Sequence, residues 1–117
     1  MAVMIEQRQE WNSKVIYLIA DEFGSVQLEL YKEKQNFGGT CWLWDLFVLP
    51  EHRKQGHAKR LLKRAEEIAK TEGHKSVFLE WEAVNSEEWL LRHYLNNGYV
   101  ERQFSGSLDY YLLEKKL

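Results

Sequence analysis

The sequence predicts an α+β domain: a mixed, mostly antiparallel sheet with one central parallel strand pair and two main helices. Three observations carry this expectation. Seven short segments have the alternating or continuous apolar character of strands. Two longer segments carry the three-to-four-residue apolar spacing of helices. The first of these helical segments lies between two strand segments, and a strand–helix–strand unit implies a right-handed crossover to a parallel neighbour. At 117 residues, 44% apolar and 14% aromatic, the chain has material for one core and no second domain.

The elements follow in order. Met1 to Gln9 alternates weakly through Val3 and Ile5 and is a candidate first strand. "EWNSK" is turn chemistry, and "VIYLIA" (Val15–Ala20) is a β-branched strand. Asp21 to Gly24 is a tight connection into "SVQLELY" (Ser25–Tyr31), which alternates through Val26, Leu28 and Leu30. "KEKQNFGG" is a polar loop, and "TCWLWDLFVL" (Thr40–Leu49) is the longest apolar strand, stopped by the only proline. Strict alternation there places Asp45 on one face with Leu43 and Phe47. The Trp42–Trp44 pair and Cys41 are expected in the core.

Gly56 to Gly73 predicts a helix, because Ala58, Leu61, Leu62, Ala65, Ile68 and Ala69 form one stripe and Gly73 supplies a stop. "SVFLEWEAV" (Ser76–Val84) is the next strand. Ser86 is placed to cap a second helix, "EEWLLRHYLNN", whose first turn holds Glu87 and Glu88 and which Gly98 ends. "YVERQF" and "LDYYLLEKK" complete a hairpin around Ser105 to Ser107.

Charge and cysteine usage narrow the function. A net charge of −2 argues against a polycation that wraps nucleic acid. One cysteine precludes an internal disulfide framework and fits a reducing compartment. No signal peptide and no membrane span are expected, so the expected setting is the cytoplasm. His52, His57, His74 and His93 lack the spacing with carboxylates or thiols that a metal needs, so no metal is expected.

One segment departs from the overall acidity. Between His52 and Arg64 stand Arg53, Lys54, Lys59, Arg60, Lys63 and Arg64, with no acid. A helix start already carries partial positive charge, so cations there are unfavourable, by roughly 0.3–1 kcal/mol each when exposed. The arrangement makes sense if an anionic ligand is to be bound. Gly56 lets the backbone turn, the N–H groups from about Gln55 to Lys59 are free, and Arg53 and Lys54 flank them. A solvated basic helix face is the plain alternative. The loop has neither the Lys-Ser/Thr pair of a P-loop nor the three glycines of a dinucleotide fingerprint.

"RKQGHA", with Arg53, Gly56 and Ala58 at the defined positions after Leu46, Val48 and Pro50, resembles the Gln/Arg-x-x-Gly-x-Gly/Ala motif of the GNAT superfamily of acetyl-CoA-dependent N-acyltransferases. "FLEWEAVN" and "YLNNGY" resemble two further elements of that family, so the likeness runs from Thr40 to the C-terminus. The resemblance implies acetyl-CoA as acyl donor. Its pyrophosphate would lie on the main chain of Gln55, Gly56, His57, Ala58 and Lys59, with Arg53 and Lys54 nearby and the His57 side chain at the surface. The pantetheine arm would run along Leu46, Phe47 and Val48, forcing that strand to splay from Ser76–Val84, and Asn85 would meet the cofactor or cap the helix.

The same resemblance implies two proton handlers. Glu80 would take the proton of the acceptor ammonium, and Tyr94, four residues before Gly98, would protonate the departing thiolate. Asp45 and Glu82 are further candidates for the base. Alternation puts Glu80 and Glu82 on one face and leaves a solvated cross-strand pair as the other option, while Tyr94 has packing as its alternative. The spacing from Asn85 to Tyr94 is two residues longer than usual in the family.

Family members usually insert helices between the first two strands, and here only Glu10 to Ser13 are available. The acceptor side is therefore expected to be open, or completed by a second copy in a homodimer or by a partner. The acceptor amine is a small molecule or a polypeptide. Rival functions are a catalytically inactive coenzyme A-binding regulatory module of the same fold, and nucleic-acid binding through the basic helix.

Overall fold

The computed structural model describes residues 4–82, 87–105 and 110–117. In order these form β1 (Ile5–Glu10), β2 (Lys14–Ala20), β3 (Gly24–Tyr31), β4 (Cys41–Val48), α1 (His57–Thr71), β5 (Ser76–Glu82), α2 (Glu88–Asn96), β6 (Val100–Ser105) and β7 (Tyr110–Lys116), with a short helical turn at Pro50–His52 before α1. The strands make one sheet in the order β1-β2-β3-β4-β5-β7-β6. Every neighbouring pair is antiparallel except β4 and β5, the parallel pair expected around α1. Asn85 and Ser86, and Ser107 of the last hairpin, lie outside the described residues.

Helix α1 forms because its apolar stripe has a core to meet. Ala58, Leu61, Leu62, Ala65, Ile68 and Ala69 are all buried, against Val26 and Leu28 of β3, Cys41, Leu43, Leu46 and Val48 of β4, and Val77 and Leu79 of β5. Burying each such leucine side chain is worth about 1.5–3 kcal/mol. Both helices end as their glycines foretold. At the end of α1, Gly73 (φ 92°) donates to the Lys70 carbonyl and His74 to that of Ala69, closing the last turn with a left-handed residue. At the end of α2 the Tyr99 N–H reaches the Tyr94 carbonyl in the same way.

The two helices share that core cluster, and no helix among the described residues covers the opposite face of the sheet. β1 meets β2 through the three residues Trp11–Ser13 alone. Among the described residues, the loop after β3 folds onto the uncovered face: Phe37 packs on Trp42 and Phe78, and Gly39 lies so close to Phe78 that a Cβ would stand 2.3 Å from its ring.

Strand β4 corrects the expected alternation. Ser25 of β3 pairs Phe47 but Gln27 pairs Trp44, so Asp45 and Leu46 together oppose Val26 in a β-bulge. Asp45 takes φ 57°, a left-handed conformation that aspartate tolerates better than most side chains. The extra residue switches the pleat. Cys41, Leu43, Leu46 and Val48 are buried, while Trp44, Asp45 and Phe47 are exposed on the other side of the switch. Asp45 therefore does not share a face with Leu43. The Trp42–Trp44 pair is not core either: both point to the uncovered face, and Trp44 is 41% exposed.

Candidate active site

The parallel pair is held at one register position, Trp42↔Phe78, whereas β5 stays paired to β7 along its whole length. Beyond Trp42 the two central strands diverge, and the bulge lies on the diverging part of β4. A gap thus opens in the middle of the sheet. A cavity of about 400 Å³ threads it, lined by Leu43, Leu46, Trp81, Leu90 and Tyr94 on the helix side and by Trp42, Trp44, Asp45, Glu80 and Glu82 toward the uncovered face.

A second cavity, about 800 Å³, lies between the start of α1 and one face of α2. It is lined by Val48, His52, Arg53, Lys54, Gly56, His57, Ala58 and Lys59, and across from them by Glu88, Trp89, Arg92, His93, Asn96 and Asn97. The start of α1 has neither a side-chain cap nor an acid in its first turn. The first intrahelical bond is Arg60 N–H to the Gly56 carbonyl, so the N–H groups just before it face outward. Lys54 (φ 63°) and Gly56 (φ 86°) are both left-handed, a curl that gathers N–H groups around an anion. For Lys54, with a Cβ, that conformation costs about 1–2 kcal/mol.

The side chains behind this loop are arranged differently from expectation. His57 is buried rather than at the surface (8% exposed), with Nδ1 2.8 Å from the Asp21 carboxylate. Asp21 also accepts the N–H groups of Phe23 (2.8 Å) and Gly24 (2.9 Å). Burial alone would raise its carboxyl, but those two hydrogen bonds and His57 hold it below the usual carboxylate range. Arg60 reaches back under Gly56, with Nη2 2.8 Å from His57 Nδ1. The β2–β3 turn thus pins the first turn of α1. Polarity patterns gave no sign of this, because each of these residues is ordinary on a surface.

Arg53 is also committed elsewhere. Its Nε donates to the Val48 carbonyl (3.1 Å), Nη1 and Nη2 donate to the Glu87 carboxylate (2.5 and 3.0 Å), and the guanidinium lies 4.8 Å from the Trp89 ring. It clasps the end of β4 to the start of α2, which leaves Lys54 and Lys59, in no ion pair among the described residues, and the main chain as the anion donors of the loop. The spacing in sequence hides this pairing, since Arg53 and Glu87 are 34 residues apart.

At the gap, Tyr94 is 5% exposed and packs edge-on against Tyr99. Its hydroxyl has no hydrogen-bond partner among the described residues, and burial alone pushes its pKa up. The Glu80 carboxyl is raised as well, first by desolvation and further by Glu82 beside it, against a hydrogen bond from Tyr110. The Cys41 thiol is pushed up to about 12 by burial, which makes it an inert core group. No group of side chains suited to a metal occurs among the described residues.

A mixed sheet opened at its one parallel pair, with an uncapped basic helix start beside the opening, has the architecture of the N-acyltransferase fold class. The family model described as the acetyltransferase (GNAT) family matches residues 3–99, and the chain belongs to that family. Among solved structures it is similar to the PaiA N-acetyltransferase of Thermoplasma acidophilum in complex with coenzyme A, at 22% identity and a TM-score of 0.70 over 90% of this chain and 62% of that one. It is similar to a putative acyl-CoA N-acyltransferase of Klebsiella pneumoniae, at 16% identity and a TM-score of 0.76 over 100% of this chain and 98% of that one. A third is the ribosomal-protein-S18-alanine N-acetyltransferase of Escherichia coli, at 13% identity and a TM-score of 0.66 over 92% of this chain and 71% of that one. No curated protein matches the sequence. The chain thus spans less than two-thirds of the Thermoplasma protein, and at these identities the likeness concerns the fold.

Proposed function

We propose that this protein is an N-acetyltransferase that moves an acetyl group from acetyl-CoA to a primary amine by direct attack. The observation that carries the reading is the gap between β4 and β5, which holds an acidic cavity, with a basic cavity beside the start of α1 on the helix side. An anionic cofactor and a cationic acceptor would then enter from opposite sides and meet in the sheet.

The cofactor's diphosphate would rest on the N–H groups of Gln55, Gly56, His57, Ala58 and Lys59, with the Lys54 and Lys59 ammonium groups beside it. The pantetheine arm would follow Leu46, Phe47 and Val48. Beyond Trp42, β4 has no β5 partner along the gap, so its backbone is available to that arm and to the thioester carbonyl. Arg53 would set the width of the passage through its clasp on Glu87.

The acceptor arrives as an ammonium ion and must lose a proton before its lone pair can attack. Glu80 takes that proton; its raised pKa brings it nearer the working pH of a base. The nitrogen then bonds to the thioester carbon, and the carbonyl oxygen becomes an oxyanion. As the C–S bond breaks, the sulfur receives a proton from the Tyr94 hydroxyl, and the proton still carried by the attacking nitrogen restores Tyr94. A phenol this buried keeps its proton at neutral pH, so the Tyr94 hydroxyl is present in its acid form when negative charge develops on sulfur. The deciding experiment follows free thiol in a mixture of protein, acetyl-CoA and amines. Transfer predicts amine-dependent thiol release, whereas coenzyme A binding without release would identify the inactive regulatory module.

A further inference from the structure

The inference concerns the acceptor and rests on the acyl-transfer reading above. The walls of the two cavities differ in charge. On the helix side stand Arg53, Lys54, Lys59 and Arg92, with Glu88 the one acid among the lining residues. Among the described residues, those lining the cavity in the gap include three carboxylates, Asp45, Glu80 and Glu82, and no lysine, arginine or histidine. The carboxylates come from both banks of the gap: Glu80 and Glu82 alternate onto one face of β5, and Asp45 stands on the bulge of β4 opposite. Asp45 and Glu80 are in no ion pair among the described residues. By contrast, Glu29, Glu66 and Glu114 on the same sheet and on α1 each have a lysine or arginine partner.

Two features separate this from a solvated acidic patch. Tyr94 lines the same cavity and is more than nine-tenths buried, and its hydroxyl has no hydrogen-bond partner among the described residues, so the cavity wall includes a polar group that a ligand can meet. The indoles of Trp42 and Trp44 flank the acids, and aromatic faces attract alkylammonium ions. The bulge explains why residue 45 tolerates φ 57°, but asparagine or glycine would serve that backbone equally well. The charge on Asp45 is a separate property.

We infer that the acceptor is a primary amine with a second positive charge on a short aliphatic arm, an alkyl diamine or polyamine, bridging Glu80 and Glu82 on β5 to Asp45 on β4. Hydrogen-bonded neighbouring strands lie about 4.8 Å apart, and the diverging strands stand further apart than that. One ammonium group cannot contact both banks closely, whereas two joined by a few methylenes can.

The test compares diaminobutane, butylamine and aminobutanoate, which share a four-carbon chain and carry a second charge that is positive, absent or negative. With acetyl-CoA saturating, kcat/KM from thiol release should fall in that order by about tenfold per step, the size of one charge-assisted contact. The preference should shrink as salt is raised. Asp45→Asn keeps a residue suited to the bulge, and it should collapse the diaminobutane-to-butylamine ratio toward one; Glu82→Gln gives a second variant with the same expected direction. A purely structural role for Asp45 would leave that ratio where it was. Equal kcat/KM for the three amines, or a ratio unmoved by both variants, overturns this inference and leaves acyl transfer standing. Coenzyme A binding with no thiol release on any amine overturns both.

Discussion

Replacing Gly56 with alanine separates the backbone's part in binding from its part in folding. Gly56 has φ 86° and ψ 5°, and a Cβ there would stand 3.0 Å from Nη1 of Arg60, the movable end of a long side chain. The steric contact is therefore relieved easily, and the cost is the left-handed backbone itself, about 1–2 kcal/mol. For a domain of this size each 1 kcal/mol lowers Tm by roughly 4–8 °C. Gly73→Ala is the matched control, because φ is 92° there and nothing lies within 4 Å of the added carbon. Both variants should lose similar stability in thermal unfolding. Only Gly56→Ala should lose coenzyme A affinity in calorimetry, because relaxing φ swings the first N–H groups of α1 off the ligand. The loss of one charge-assisted hydrogen bond to phosphate predicts roughly 10–100-fold in Kd. Should Gly56→Ala bind within twofold of the parent while its Tm falls alongside Gly73→Ala, the diphosphate does not rest on this loop.

Three further outcomes follow from the same geometry. Tyr94→Phe should lower kcat by roughly 10–100-fold with Kd for coenzyme A nearly intact, and its stability should hold because the hydroxyl has no partner among the described residues. Glu80→Gln should lower kcat and remove the acid limb of the pH–rate profile, since the base works only when ionised. Because the folded Glu80 pKa lies above its unfolded value, ionising it in the folded protein is unfavourable, and its contribution to stability declines as pH rises through that window. The glutamine variant should thus be slightly more stable than the parent at neutral pH in denaturant titrations. Asp21→Ala should cost about 2–4 kcal/mol by urea unfolding, as two N–H groups and His57 lose their acceptor. Asp21 has the opposite sign to Glu80: its folded pKa is depressed, so the stability it gives is present above the unfolded carboxylate pKa and fades as pH falls through the folded one.

Much of this molecule was legible because it depends on local pattern. The α1 stripe, the glycine stops at Gly73 and Gly98, and the crossover between β4 and β5 follow from periodicity, turn chemistry and handedness, which a single chain displays openly. The helix start without an acid was equally plain, as was the motif around Gly56. What stayed hidden depends on residues far apart meeting in space. Nothing near Arg53 announces Glu87, and nothing near His57 announces Asp21, so both side chains were expected to be more accessible than they are. The β4 bulge lies between these cases. Cys41 and Leu43 are in phase with each other, Leu46 and Val48 likewise, and the two pairs differ by one residue, a slip that strict alternation overlooked and that marks an extra residue in the strand. Missing it put Asp45 on the wrong face and assigned Trp44 to the core.

The most direct test of the central claim is a titration of labelled protein with coenzyme A, followed by amide resonances. The account predicts saturable shifts concentrated at Gly56, His57, Ala58 and Lys59 and along Leu46–Val48, with Gly73 and His74 at the far end of α1 undisturbed. Saturation that leaves those helix-start amides in place, or no binding at millimolar ligand, would contradict it.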